Sequence, residues 1–188
     1  AVTFYTTAEF LLVDGKPVAL DKPADAKLTF WRERVLLELR SDWAVAGKTW
    51  PRGALLVADA AAYLRGGRDF TPLFTPTATR SLEAFTATRS TLILNVLDNV
   101  ASRLEELKPT AQGWQRREVK APHPGKLSVQ ALHDPELRED KLAEAYFLNA
   151  ADFLQPDSLQ LGQAGSDTRE LLKSRPAFFD ASGQRAEQ

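Results

Sequence analysis

Short apolar runs alternate with polar turn residues along the whole chain, and a helical spacing of apolar residues is nowhere sustained beyond about two turns. Runs of this length, bounded by turn residues, are typical of β-strands, so the pattern predicts an almost all-β chain of about fourteen strands. The most apolar runs are residues 35–39, 92–97 and 146–148, and we expect these to be inner strands. The best helical stretches, residues 58–64 and 135–142, both fall in loops between strands.

A proline-terminated segment recurs along the chain. In each case one or two apolar residues and then one to three further residues precede a proline, namely Pro23, Pro76, Pro122 and Pro176. These prolines are 53, 46 and 54 residues apart, and the first three are followed within six residues by a new strand, opening at Leu28, Leu82 and Leu127. A unit of four strands that recurs at this spacing is typical of β-propeller blades. Because proline has no N–H, we expect each proline to end an outermost strand.

The repeat defines the expected domain organisation, which is a single partial β-propeller over residues 1–188. Residues 1–23 form a half blade, residues 24–76, 77–122 and 123–176 form whole four-stranded antiparallel blades, and residues 177–188 are a return segment. About three and a half blades cannot close a ring, since propellers use four to eight. The chain also begins without Met, so we expect it to be part of a larger protein.

The composition limits the classes of partner that the chain could bind. The 24 Lys and Arg residues balance 25 Asp and Glu residues, with a net charge of -1, which argues against a nucleic-acid or anionic-membrane partner. The apolar runs are too short to span a bilayer. Cysteine is absent, which excludes disulfides, cysteine zinc sites, iron–sulfur clusters and a cysteine nucleophile. The chain is expected to be soluble, in a cytoplasmic or periplasmic compartment that the sequence leaves open.

The motifs of catalytic and cofactor sites are missing. There is no Gly-x-Ser-x-Gly nucleophile motif, and the glycine pairs are not followed by a helix as phosphate and dinucleotide loops require. The two histidines, His123 and His133, fall in loops, where we interpret both as solvated side chains. We therefore assign no catalytic, cofactor-binding or metal-binding residue to this chain and expect no cofactor.

Two further sets of residues have a structural and a functional interpretation. Asp42, Asp98 and Asp152 each follow the second strand of a unit. We expect them to cap turns by accepting backbone N–H groups, in preference to binding calcium. The four tryptophans could form a sugar-stacking surface, but core and loop packing is the favoured interpretation; they are Trp31, Trp43, Trp50 and Trp114.

The third unit carries the most specific resemblance. Residues 146–159 read YFLNAADFLQPDSL, and residues 172–182 read LKSRPAFFDAS. The first stretch resembles the last propeller blade of the prolyl oligopeptidase family of serine peptidases, and the second resembles the return segment before the hydrolase domain. Residues 92–98 similarly resemble a preceding blade. The resemblance covers essentially the whole chain.

This resemblance implies a seven-bladed propeller over an α/β-hydrolase domain of the same parent chain, with the propeller restricting the access of large, folded substrates. The family's catalytic Ser, Asp and His would lie beyond Gln188, and no residue here matches their motifs. The parent would be a serine endopeptidase that cleaves short peptides, with post-proline specificity implied by kinship. The isolated segment, with blade faces lacking neighbours, is expected to self-associate. The alternative is a stand-alone propeller module that binds a protein or a glycan.

Overall fold

The computed structural model describes residue 6 and residues 8–121, 125–137 and 139–184. In this part of the chain there are sixteen strands and one five-residue helix, which confirms the predicted all-β class. The strands are β1 (Phe10–Val13), β2 (Lys16–Ala19), β3 (Lys27–Trp31), β4 (Arg34–Glu38), β5 (Trp43–Val45), β6 (Lys48–Trp50), β7 (Leu55–Asp59), β8 (Thr71–Phe74), β9 (Arg80–Ala87), β10 (Leu92–Asp98), β11 (Ala101–Thr110), β12 (Gly113–Val119), β13 (Lys126–Ala131), β14 (Ala145–Ala151), β15 (Ser158–Gln163) and β16 (Arg169–Ser174). The helix α1 (Ala60–Leu64) follows β7.

Three four-stranded antiparallel sheets dominate the fold, with strand orders β3-β4-β7-β8, β9-β10-β11-β12 and β13-β14-β15-β16. The strand pairs β1-β2 and β5-β6 form two small hairpins. This architecture matches a partial propeller. In each large sheet the second strand, β4, β10 or β14, is flanked on both sides and carries a run of buried apolar side chains, which confirms the predicted inner strands.

The outermost strands end close to the prolines, as predicted. Strands β8 and β16 lie at sheet edges and end two residues before Pro76 and Pro176, so the missing N–H of each proline removes no ladder hydrogen bond. Pro23 comes after β2, an edge strand of the first hairpin. Pro122 lies outside the described residues.

The chain divides into two compact units, residues 1–78 and residues 79–188. In the first unit the core is formed by β3, β4, β7 and α1, with Val35, Leu37, Leu56, Tyr63 and Phe70 buried at its centre. The helix begins at its N-cap Asp59, whose carboxylate accepts the N–H of Ala62 at 2.7 Å. Residues 135–142, the other stretch with helical spacing, form turns where they are described.

In the second unit two sheets pack against each other. Ile93, Leu104 and Val119 of one sheet share a buried cluster with Leu127, Tyr146, Leu148 and Ala150 of the other. The ring of Tyr146 covers Gly162 on the next strand so closely that a Cβ atom there would lie 2.5 Å from Cζ. These contacts hold two neighbouring blades together and place their loops side by side.

The hairpin β5-β6 is not among the strands that the sequence pattern predicts. Ala46 and Gly47 form its turn, with φ angles of 49° and 74°. Two positive φ values are the requirement of the type I′ turn that closes two-residue hairpins. Trp43 lies opposite Trp50 in this hairpin, and both pack against the core of the first unit. With the two strands of this hairpin, the described residues contain sixteen strands, which is more than the expected fourteen.

Candidate functional site

A cavity of about 630 Å³ opens at one end of the two sheets of the second unit. The turn between β10 and β11, the start of β13 and the end of β14 meet there, because each sheet presents the same end of its strands. Leu97, Val100 and Phe153 form the apolar part of the wall. Phe153 is 85% exposed and Val100 is 61% exposed. Large apolar side chains grouped at one exposed site are typical of a surface that contacts a ligand or a partner.

Glu83 contributes a carboxylate to the same cavity. The register between β9 and β10 slips at this point: Asn95 pairs with Ala84 and Val96 pairs with Leu82, which leaves Glu83 as the extra residue of a β-bulge. Bulges redirect a side chain relative to the regular alternation of a strand. Asn95 then holds the redirected carboxylate, because its Nδ2 donates to Glu83 Oε2 at 2.9 Å.

Asn95 is itself fixed by the neighbouring sheet. It is 3% exposed, and its Nδ2 also donates to the carbonyl oxygen of Leu127 at 2.7 Å. Glu83 therefore combines an exposed side chain with one anchored oxygen atom. This is the arrangement of a pre-positioned acceptor.

The remaining polar side chains of the cavity are those of Ser102, Lys126 and Asp152. Lys126 is exposed and also lines a neighbouring cavity of about 450 Å³, where Lys173 and Arg175 add two more cationic groups. The end of the sheets thus presents two carboxylates, Glu83 and Asp152, and an ammonium group beside an apolar wall.

The segment that follows β16 lies at this same end. The N–H of Arg175 donates to the carbonyl oxygen of Asp157 at 2.9 Å, and their side chains form an ion pair at 3.5 Å. Phe178 and Phe179 border a small cavity together with Phe153, and both are exposed. Three phenylalanines consequently face outward at the end where residues 175–184 leave the sheet.

At the opposite end of the second unit, ion pairs hold the two sheets together. Arg117 of β12 donates to Glu106 at 2.9 Å and reaches across to Asp167, in the turn between β15 and β16, at 2.7 Å. The N–H of Gly165 donates to Glu106, and the N–H of Lys120 donates to Asp167. The hydrogen bond from Arg117 keeps the pKa of Asp167 below its ordinary value. The hydrogen bonds that Arg117 donates to Glu106 and Asp167 raise the pKa of its guanidinium group. These ion pairs form a clamp between the two blades.

His133 is part of a loop-organising contact. Its Nδ1 lies 2.8 Å from Asp140 Oδ2, and the same carboxylate accepts the N–H groups of Asp134 and Leu142. The hydrogen bond with His133 is the main cause of the lowered pKa of Asp140. The adjacent Asp134 is used elsewhere, accepting the N–H of Glu136. His123 lies outside the described residues.

The three aspartates that follow second strands divide in their roles. Asp42 accepts the N–H of Arg52 at 2.7 Å, and Asp152 accepts those of Leu154 and Gln155 at 2.6 Å, so both cap turns as predicted. Asp98 instead forms ion pairs, with Arg103 at 3.2 Å and Arg80 at 3.9 Å. Within the described residues no three His, Cys, Asp or Glu side chains are grouped as metal ligands.

The tryptophans pack in the manner of core and loop residues. Trp31 is buried and Trp114 is half-buried, while the ring of Trp43 lies 5.3 Å from that of Phe70. Trp43 and Trp50 pack against the core of the first unit, which favours packing over an exposed sugar-stacking surface there. Among the described residues, no helix is both long enough and apolar enough to cross a membrane.

Sequence reasoning missed Glu83 and the apolar wall beside it. Glu83 reads as one polar residue within an alternating strand, and the bulge that redirects it depends on how β9 pairs with β10. Phe153 lies in residues 146–159, where the sequence shows only a family resemblance. Neither residue has a local sequence pattern that would mark it as part of a site.

Comparison with known proteins finds similarity to a peptidase in sequence and to two peptidase structures in fold. No protein-family model matches the sequence. The chain is 30% identical over 179 residues to the uncharacterized peptidase y4nA of Sinorhizobium fredii, and the match covers 93% of the chain and 24% of that peptidase. The fold is similar to a post-proline cleaving enzyme from Rickettsia typhi, with a TM-score of 0.73, 22% identity and coverage of 94% of the chain and 26% of the enzyme.

A second solved structure, from an analysis of two prolyl endopeptidases, gives a TM-score of 0.62 with 16% identity, covering 88% of the chain and 22% of that protein. The chain therefore spans about a quarter of the length of each of these proteins.

Proposed function

We propose that the chain is a propeller segment of a prolyl-oligopeptidase-like serine peptidase and that it restricts access to an active site located elsewhere in the parent protein. The reaction would be the hydrolysis of short peptides, after proline. In this proposal the nucleophile, its base and the oxyanion hole belong to an α/β-hydrolase domain that follows residue 188.

The observation that carries the proposal is the agreement of two independent comparisons. The sequence match covers nearly all of this chain but only 24% of a peptidase, and the fold match covers a similar share, 26%, of a post-proline cleaving enzyme. A non-catalytic segment of a larger peptidase accounts for both.

The geometry supports a specific orientation of the segment. The three outward-facing phenylalanines, Phe153, Phe178 and Phe179, lie at the end of the sheets from which residues 175–184 extend. A domain that follows this segment would meet that end first. We propose that these side chains and Val100 contact the hydrolase domain or border the space in which the substrate is held.

The size restriction follows from propeller architecture. In a closed ring the first strand of each blade lines a central channel, and here those strands would be β3, β9 and β13, each an edge strand of its sheet. A channel or a domain interface of this kind admits extended peptides and excludes folded proteins.

The test compares the parent protein with the isolated chain. The parent should cleave a short Pro-p-nitroanilide peptide and leave a folded protein with an exposed proline loop intact, while the 188-residue chain should hydrolyse neither above buffer. Equal rates on the short peptide and on the folded protein would contradict the access role. A parent that cleaves no peptide while the chain captures a glycan or a protein would favour the stand-alone binding module.

A further inference from the structure

We propose that a cavity of about 290 Å³ between the two sheets of the second unit is a binding site for a neutral polyhydroxyl ligand, of the size of one sugar ring or one open-chain polyol. This seam cavity lies where the β9-β10 and β15-β16 turns meet, at the end of the sheets opposite the exposed phenylalanines. The inference therefore goes beyond the proposed function and does not depend on it.

A buried carboxylate with one unsatisfied oxygen atom lines the seam cavity. The side chain of Glu106 is 5% exposed, and its Oε2 accepts from Arg117 Nε and from the N–H of Gly165, both at 2.9 Å. Its Oε1 has no hydrogen-bond partner among the described residues. Buried polar atoms of proteins are almost always hydrogen-bonded, so Oε1 is suited to accept from a donor that a ligand brings.

Arg117 lines the cavity too, but each of its three nitrogen atoms already donates. Nε donates to Glu106, Nη1 donates to Asp167 at 2.7 Å, and Nη2 donates to the carbonyl oxygen of Ser166 at 3.2 Å. The arginine thus holds the carboxylate in place and leaves Oε1 to the ligand. An acceptor that is already fixed loses little side-chain freedom when a ligand binds.

Two donors lie beside Glu106 on the same face of the sheet. Lys108 follows Glu106 by two residues on β11, and Gln115 of β12 lies directly opposite Lys108, so the three side chains point to one side. Lys108 and Gln115 are exposed. Because their ends are in solvent, they can turn toward a bound ligand and open the path to Oε1.

The opposite wall is formed by connections between other strands. Ser90 Oγ and Thr91 Oγ1 lie 3.5 Å apart in the β9-β10 turn, and a hydroxyl group can both donate and accept. Glu144 directly precedes β14 and lines the cavity beside them, while its Oε2 accepts from Thr88 Oγ1 at 2.6 Å. Both sheets therefore contribute polar groups, and both carboxylates are anchored.

The balance of charge around the cavity selects a neutral ligand. The two carboxylates are matched by the ammonium group of Lys108 and the guanidinium group of Arg117, so neither an anion nor a cation meets an excess of opposite charge. Neighbouring hydroxyl groups donate to carboxylates and accept from the ammonium and amide groups at the same time. The volume is near the lower end of the roughly 300–1,000 Å³ of small-ligand sites, which suits a single small polyol.

NMR titration of the ¹⁵N-labelled 188-residue chain tests the proposal, with methyl α-glucoside and sorbitol as probes. The amide signals of Thr91 and Gly165 should shift and saturate with a Kd on the order of 1 mM, as a few hydrogen bonds provide. The amide of Ala151, at the other end of the sheets, should not shift. Saturation separates binding from the general exclusion of polyols from protein surfaces, and the tighter of the two probes distinguishes a sugar ring from an open chain.

Two variants locate the ligand. Gln115→Ala, at an exposed position, should weaken binding several-fold because it removes one hydrogen-bonding group. Gln112→Ala, in the β11-β12 turn and not part of the cavity wall, is the matched control and should leave Kd unchanged. Glu106→Gln should weaken binding about tenfold through the loss of a charged acceptor; if loss of the clamp unfolds this variant, Gln115→Ala decides.

Three outcomes would overturn the proposal. The first is that neither polyol gives saturable shifts at Thr91 and Gly165. The second is that inorganic phosphate or 1,4-diaminobutane shifts these amides saturably while the polyols do not, because the site would then select a charge. The third is that Gln115→Ala binds the polyols as tightly as the wild type. Turnover of peptides by the parent protein tests the peptidase assignment separately and is unaffected by any of these results.

Discussion

Glycine 162 illustrates how one residue sets the distance between two strands. Its backbone lies directly against the ring of Tyr146, which is fully buried. Burial also raises the pKa of the Tyr146 hydroxyl, as expected for a phenol removed from water. Any side chain at position 162 would have to displace this ring from a shared core.

Gly162→Ala should therefore destabilise the second unit by about 1–3 kcal/mol, the usual cost of overpacking a core. Urea unfolding followed by the fluorescence of the chain would measure the change. An unfolding midpoint equal to that of the wild type would show that the ring of Tyr146 can move aside at no cost.

Tyr63 links α1 to the segment that follows the first hairpin. Its ionisation should make the stability of the protein depend on pH. Its hydroxyl donates to the carbonyl oxygen of Asp21 at 2.9 Å, and burial raises its pKa to about 12 from 10.0. The folded state thus retains a proton that the unfolded state loses above pH 10.0. The stabilisation is complete below pH 10.0 and is lost as the pH rises through about 12.

The free energy of unfolding should consequently fall between those pH values, and Tyr63→Phe should reduce the slope of that fall. Denaturant unfolding at several pH values, with tyrosinate absorbance recorded in parallel, would measure both. A slope that is the same in Tyr63→Phe as in the wild type would contradict the assignment.

At the scale of elements, turns and seams decide how well individual strands are held. The β5-β6 hairpin closes through Ala46, a residue with a side chain in the left-handed region at φ 49°. This conformation is costly for alanine, whereas asparagine tolerates it and Asn-Gly is a preferred type I′ sequence.

Ala46→Asn should stabilise the protein by about 1 kcal/mol through relief of this strain. The thermal unfolding midpoint measured by circular dichroism would register the gain. Ala44→Asn, on the exposed part of β5, is the control and should be neutral or slightly destabilising. A loss of stability in Ala46→Asn would mean that the turn has another conformation in solution.

The clamp formed by Arg117 and Asp167 is a second feature at this scale. Because the Arg117 contact lowers the pKa of Asp167, the clamp is fully formed above the ordinary Asp range. It weakens only as the pH falls through that lowered pKa. The pair is partly exposed, so its contribution to stability is below about 1 kcal/mol.

Asp167→Ala should accordingly speed hydrogen exchange at the amide of Lys120, which donates to Asp167, with little change in global stability. Glu170→Ala on the adjacent strand should leave this amide unchanged. The protection factor of this amide, measured by NMR and therefore corrected for the intrinsic pH dependence of exchange, should be higher at neutral pH than below the Asp range in the wild type and should be similar at the two pH values in Asp167→Ala. Unaltered exchange in the variant would exclude a role for the clamp.

For the whole molecule, the first hairpin presents an incomplete sheet. Among the residues that the structure describes, strand β1 pairs only with β2, and its Phe10 and Leu12 are exposed on one face. An open strand edge with exposed apolar side chains promotes association between chains. We propose that the isolated segment associates through this hairpin, most simply as a two-fold dimer.

Light scattering at micromolar concentration should show a mass above that of the monomer, and Leu12→Lys should shift it toward the monomer. Leu137→Lys, at an exposed loop leucine of the second unit, is the control and should leave the mass unchanged. A wild-type chain that remains monomeric would show that β1 needs no further strand.

The sequence by itself determined most of the strands, their grouping in fours, the prolines after the outermost strands and a resemblance to prolyl oligopeptidases. These features depend on alternation along the chain, on the missing N–H of proline and on motifs within single segments, all of which are local. Only the tertiary structure decided that Glu83 occupies a bulge held by Asn95, that His133 pairs with Asp140, and that Trp43 faces Trp50. Each of these depends on register or on the path of a loop, which are set by contacts between separate segments. The redirected Glu83 and the exposed Phe153 became visible as one site only when two sheets brought their ends together.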